Sequence, residues 1–200
     1  MLYLKNLEKK YGDFLLFDKI DYTFHDNEIY GIIGKNGVGK TTLFKVVTGI
    51  VPVDSGEVIF EHSEDTMYYL GDSPFLYEEL TGEEFLEFSA KMLGFSKDDS
   101  ELISMCKSID IQPYLFNRIK TYSFGMKKKL ALIVAFMSKA KYIVLDEATN
   151  GIDKNSLERI TEIIRCSSKK RTFFIINHES ELLESIYTKR VYLENGKLVE

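Results

Sequence analysis

The chain has 200 residues, 44% of them hydrophobic and 28% charged, with a net charge of −5. This length suits one α/β domain with room for a small inserted lobe, and the acidic balance speaks against a general nucleic-acid binder, so no nucleic-acid partner is expected. The longest apolar runs, such as residues 130–137, are too short to span a bilayer, the N-terminal residues do not resemble a signal peptide, and Cys106 and Cys166, without metal-ligand spacing, are expected as free thiols in a reducing cytosol.

In chain order, β-type patterning at residues 1–7 and 15–24 is followed by a more continuous apolar strand at 28–33, as expected for a strand buried in a sheet. A glycine-rich stretch leads into a helix-like segment, Leu43-Phe-Lys-Val-Val47, and a turn cluster at 51–56 precedes short strands at 57–61 and 66–70. At about Ser73 the character changes. Thr81 and Glu84 have the spacing of a helix-capping box, Phe85, Phe88 and Met92 recur at helical spacing, and residues 101–109 also read as helix. Strands at 142–145 and 172–176 flank a helix at 154–165 with Leu157, Ile160, Ile163 and Ile164 on one face, a parallel crossover unit. The chain closes with a hairpin at 190–199 that turns on Asn195-Gly196.

The stretch Gly34-Lys-Asn-Gly-Val-Gly-Lys-Thr-Thr42 lies between a strand and a helix, the context a phosphate-binding loop requires. Its glycines let backbone N–H groups point at phosphate oxygens, and the helix opening at Lys40 adds its positive end. Lys40 is placed to reach the terminal phosphates and Thr41 to hold Mg²⁺ through its hydroxyl. Gly34, Asn36, Gly37, Gly39, Lys40, Thr41 and Thr42 are therefore the candidate binders of a nucleoside triphosphate.

Two further constellations lie downstream. Tyr142-Ile-Val-Leu-Asp-Glu147 is an apolar strand that delivers two carboxylates: Asp146 beside Mg²⁺, and Glu147 as general base for the attacking water. His178 follows the next strand, where an imidazole can hydrogen-bond the γ-phosphate or the water.

A phosphate loop alone leaves kinases, GTPases, helicases and transporters open. Tyr122-Ser-Phe-Gly-Met-Lys-Lys-Lys-Leu130, followed by the Asp-Glu strand and Asn150-Gly-Ile-Asp153, resembles the ATPase subunits of ABC transporters in the order of its motifs, over essentially the whole chain. The resemblance implies a phosphate-loop α/β fold of ABC type, with a mixed-sheet core, an N-terminal antiparallel β part and an inserted helical subdomain. Residues 1–72 and 126–200 would form the ATP-binding core, and 73–125 the helical subdomain with the signature motif at its end. It also implies ATP and Mg²⁺ as cofactors, with Ser123 and Gly125 of the signature and Asp153 of the D-loop contacting nucleotide, and Tyr11 stacking on adenine. In the family each ATP lies between the phosphate loop of one subunit and the signature of another, so a head-to-tail homo- or heterodimer is expected, driving a separate polytopic membrane subunit from the cytoplasmic face of the membrane, with export favoured. The rival reading is a soluble ABC-type ATPase acting on ribosome or nucleic acid.

This sequence departs from the family pattern at the position of its usual glutamine, where Asp72 stands. A carboxylate can bind Mg²⁺, but it cannot donate a hydrogen bond and it sets negative charge beside phosphate, so altered metal dependence or slower hydrolysis is expected. Phe124 and Met126 also depart from the common signature, and Lys127, Lys128 and Lys129 read as a solvated basic stripe. Residues 73–125 hold nine acidic against five basic side chains, the surface expected to meet the membrane subunit.

Overall fold

The computed structural model describes residues 1–200 apart from Lys97, His178 and Glu179. Two sheets organise the fold. An antiparallel one has the order β2-β1-β4, from β1 (Leu2–Tyr11), β2 (Phe14–Phe24) and β4 (Ser55–Phe60). The other runs β5-β6-β7-β3-β8-β9, from β3 (Ile29–Ile33), β5 (Met67–Leu70), β6 (Tyr142–Asp146), β7 (Thr172–Ile176), β8 (Lys189–Glu194) and β9 (Lys197–Val199). Neighbours in this sheet are parallel except for β9, which returns antiparallel to β8. The combination is the mixed α/β architecture expected of an ABC-type phosphate-loop ATPase.

The central strands read as continuous apolar runs because both their faces are buried. Ile143, Leu145, Phe173 and Ile175 point into a core shared with the helices α2 (Gly82–Leu93), α3 (Ser100–Ser108), α4 (Phe124–Met137), α5 (Lys154–Ser167) and α6 (Glu181–Glu184). Tyr142, Val144, Phe174 and Ile176, the alternate residues, point into a second core with the antiparallel sheet and α1 (Lys40–Val47). There the Phe174 ring packs 4.9 Å from Phe44 of α1 and 4.9 Å from Phe24 of β2. This wedge fixes the helix that follows the phosphate loop against the parallel sheet.

Three local readings change. The first hairpin is longer than its apolar pattern suggests, since β1 continues to Tyr11 and pairs it with Phe14 across a two-residue turn containing Gly12 at φ +58°. In α2 the capping box forms as read, with Thr81 and Glu84 bonding each other's backbone N–H. The helix, however, buries Phe85, Leu86, Ser89 and Ala90, leaving Phe88 and Met92 exposed. Finally, the lysine stripe is not solvated: Lys128 is 1% exposed and Lys129 is buried, while Lys127 is half-buried in an ion pair with Glu78.

Candidate active site

The phosphate loop leaves the C-terminal end of β3, in the middle of the parallel sheet, and enters α1. Gly39 caps α1 at φ +109°, a conformation that favours glycine, and brings no side chain to the helix's first N–H groups. Those donors and the helix dipole are thereby left to an anionic ligand. Lys40 is buried, and its ammonium donates to the Gly34 carbonyl at 2.6 Å and the Lys35 carbonyl at 3.0 Å, curled inside the loop it is expected to serve. Burial pulls the Lys40 pKa below the ordinary lysine range, opposed by the nearby charges of Glu147 and Asp146.

A cleft of about 580 Å³ opens beside this helix, lined by Thr41, Lys45, Gly71, Asp72, Asp146 and Glu147, among others. Asp146, at the end of β6, is 3% exposed; its Oδ2 accepts from Tyr69 Oη at 2.7 Å, whereas its Oδ1 is buried with no hydrogen-bond partner among the described residues. A buried carboxylate oxygen without a donor is costly unless a cation satisfies it. Asp146 Oδ1, on a cleft it shares with Thr41, therefore fits Mg²⁺. Glu147 begins the turn after β6 at φ +55°, a conformation few non-glycine residues adopt. Its N–H donates to the Ile176 carbonyl (2.8 Å), its carbonyl accepts from Lys128 Nζ (2.8 Å), and its carboxylate accepts from Asn150 Nδ2 (3.1 Å).

Asp72 lies on the same cleft, with Oδ1 2.6 Å from Lys128 Nζ. Tyr11 ends β1 as a 53% exposed residue, with the Lys9 ammonium 5.4 Å from its ring centroid; Lys9 is itself buried in an ion pair with Asp54. His178 lies outside the described residues.

The signature and the D-loop meet each other. Ser123 caps α4, accepting from the Met126 N–H. Gly125 sits so close to the 151 turn that a Cβ would fall 2.7 Å from the Gly151 carbonyl oxygen. Asp153 caps α5 through the Ser156 N–H at 2.9 Å and pairs with Lys129 at 2.7 Å. The Lys129 hydrogen bond and the cap hold the Asp153 carboxyl down at about 2. Among the described residues, neither Ser123, Gly125 nor Asp153 lines the cleft of Thr41 and Asp146.

The sequence pattern of the family described as ABC transporter matches residues 17–150. The chain belongs to the ABC transporter family. It is an ATP-binding subunit and an ATPase of that family. Among relatives, the lantibiotic transport ATP-binding protein SrtF of Streptococcus pyogenes is 29% identical over 206 residues, covering 100% of this chain and 89% of SrtF. The bacitracin transport ATP-binding protein BcrA of Bacillus licheniformis is 27% identical, covering 98% of this chain and 67% of BcrA. The fold matches the ATP-binding cassette MJ0796, solved as a dimer in a post-hydrolysis state bound to ADP and Pi, with a TM-score of 0.84 at 18% identity, over 100% of this chain and 97% of that one.

Two side chains of this ABC ATPase's site were not singled out by sequence reasoning. Tyr69 was one apolar-strand residue among several, distinguished only by its place just before the end of a strand adjacent to β6. Lys128 was hidden within three consecutive lysines, although a helical wheel sets it on the side of Phe124 and Ala131.

Proposed function

We propose that the chain hydrolyses ATP as one half of a head-to-tail dimer and thereby drives a separate polytopic membrane subunit, for export, from the cytoplasmic face of the membrane. One observation supports the dimer: the signature packs on its own D-loop, with Gly125 against the Gly151 carbonyl, and neither Ser123 nor Gly125 lines the cleft that gathers Thr41, Asp146 and Glu147, so a second copy would bring its signature to the nucleotide. Gly34, Asn36, Gly37, Gly39 and Thr42 cradle the phosphates, and Tyr11 offers its exposed ring to adenine. Lys40 exchanges the Gly34 and Lys35 carbonyls for the terminal phosphates. Thr41 and Asp146 Oδ1 hold Mg²⁺, which when bound draws off charge from the phosphate oxygens. Glu147 takes the proton of the attacking water, worth roughly 10²- to 10⁴-fold in rate, and His178 supports that water or the γ-phosphate. Asp153 places the D-loop, its carboxylate engaged by Lys129 and Ser156. ATP then acts as interfacial glue, and hydrolysis removes the contacts that favour closure.

The membrane subunit docks on the helical insert of residues 73–125. Phe75, 81% exposed, Tyr77 and Phe88 form a chain of edge-on rings, each 5.3 Å from the next, with Met92 exposed on the same helix as Phe88. Contiguous exposed aromatics of this kind mark interaction surfaces. The acidic excess is reduced by one pair from beyond the insert, Glu78 with Lys127; the pairs of Glu79 with Arg118 and Lys120 and of Glu87 with Lys91 are already within the count. The names of SrtF and BcrA, lantibiotic and bacitracin transport, support an antimicrobial peptide or similar amphiphile as cargo. The test is a tagged pull-down from detergent-solubilised membranes of the native host. A stoichiometric polytopic membrane protein is the expected partner; ribosomal proteins, with the chain absent from membranes, would overturn the reading in favour of a soluble ABC ATPase.

A further inference from the structure

Lys128 is the most deeply buried charged side chain among the described residues, at 1% exposure, on the second turn of α4. A buried ammonium persists only where partners replace its water. Here they are Asp72 Oδ1 at 2.6 Å, the Glu147 carbonyl at 2.8 Å and the Phe124 ring, with its centroid 4.5 Å away. Two of the three belong to the cleft: Asp72 stands where the family usually has glutamine, and Glu147 is the proposed base.

We infer that Lys128 is a positioning residue for ATP hydrolysis, paired with Asp72 and holding the Glu147 backbone by its carbonyl. Two physical needs meet in this one side chain. Asp72 alone would set a full negative charge beside the phosphates and repel them. An ammonium 2.6 Å away cancels that charge over the distances that matter, so the pair presents the cleft with a nearly neutral unit, as a glutamine would. Glu147 meanwhile sits at φ +55°, a strained position that holds only when its surroundings over-determine it. The Ile176 carbonyl fixes its N–H, Asn150 touches its carboxylate, and Lys128 fixes its carbonyl. The Asn150 N–H also donates to this carbonyl, at 3.2 Å, so loss of Lys128 removes the shorter of two hydrogen bonds on the peptide after Glu147 and loosens it, which shifts the carboxylate relative to the attacking water. The Asp72–Lys128 exchange thus explains how this chain dispenses with the glutamine.

This inference rests on Glu147 being the base, and E147Q tests that reading separately: it should abolish hydrolysis with ATP still bound. If E147Q keeps hydrolysing, the reading of the base fails, whatever Lys128 does. For the inference itself, K128M, D72N and the double variant D72N/K128M are compared by kcat, KM for ATP, ATP affinity and melting temperature. The double variant replaces the ion pair with neutral groups and so guards against misfolding of K128M, in which Asp72 has lost its partner. K128M and the double variant should each lose about 100-fold in kcat, the scale of a small displacement of a reacting group; ATP affinity should fall in K128M, where Asp72 is left unpaired beside the phosphates, and stay within about twofold of wild type in the double variant. Adding D72N to K128M should cost no further rate, because the two residues act as one unit. Wild-type kcat in the double variant would overturn the inference, as would a loss that appears only as weakened ATP binding, or losses that multiply from D72N to K128M.

Discussion

Tyr69 Oη donates to Asp146 Oδ2 at 2.7 Å, while Oδ1 of the same buried carboxylate meets no donor among the described residues. The phenol locks one oxygen and aims the other at the cleft. Burial and this hydrogen bond raise the Tyr69 pKa above its ordinary value, so it remains a donor at any physiological pH. Y69F should raise the Mg²⁺ concentration for half-maximal ATPase about tenfold, the usual scale for losing a partner of a metal ligand. Metal-free ATP binding should not change. Titrating Mg²⁺ against both readouts checks this, and an unaltered metal dependence would count against it.

E147Q should bind Mg-ATP and hydrolyse it at least about 100-fold more slowly. Light scattering should then find a stable dimer at saturating Mg-ATP and a monomer without nucleotide. A variant that stays monomeric would remove the support for the head-to-tail arrangement.

G125A would place a methyl group 2.7 Å from the Gly151 carbonyl oxygen, and because that atom is backbone the signature and the D-loop would have to separate. The expected cost is about 1–3 kcal/mol of stability, accompanied by loss of ATPase at unchanged ATP affinity. Chemical denaturation and a binding isotherm measure the two, and wild-type turnover would show that the contact is dispensable.

Asp153 supplies a pH dependence. Its carboxyl lies at about 2 in the fold, against an ordinary 3.8, held down by Lys129 and the α5 cap. A depressed folded pKa contributes stability above the ordinary value that fades as pH falls from about 4 toward 2. Because the side chain is half-exposed, solvent screening keeps this to about 1 kcal/mol. D153N, which retains the cap, should therefore be less stable than wild type at pH 7 and nearly equal to it at pH 2. Urea melts at the two pH values decide it.

On the helical insert, reversing Glu83 and Glu84 to lysine should weaken membrane-subunit binding more at low salt than at high salt. F75A with F88A should weaken it at both. Binding assays in detergent at two ionic strengths separate the contributions, and no loss for the charge reversals at either would assign docking to the aromatics alone.

What the sequence made legible was whatever depends on neighbours within a few residues. The phosphate loop could be read because strand, glycines and helix follow one another, and the capping box because Thr81 and Glu84 are three residues apart. What stayed hidden depends on contacts across the fold. Lys128 meets Asp72 and Glu147 from 56 and 19 residues away, so a run of three lysines cannot reveal which of them is inside. Phe88 and Met92 look like core by spacing; only the fold shows that α2 turns Leu86 and Ala90 inward and leaves those two outside. Gly125 stands out in the sequence through the signature pattern, but its close approach to the Gly151 carbonyl cannot be read from the chain.

The first two turns of α4 carry both ends of a lever. Ser123 and Gly125 stand at its tip, and Lys128, about 7 Å further along the axis at the ordinary helical rise, grips the peptide of Glu147. In the proposed dimer the tip reads the ATP held by the other subunit, while the grip acts on the ATP held at home. A helix of this length is stiff on that scale, so a tilt imposed at one nucleotide arrives at the other with little loss. The two halves would then fire as a timed pair, each sensing through its own α4 whether the opposite pocket is loaded.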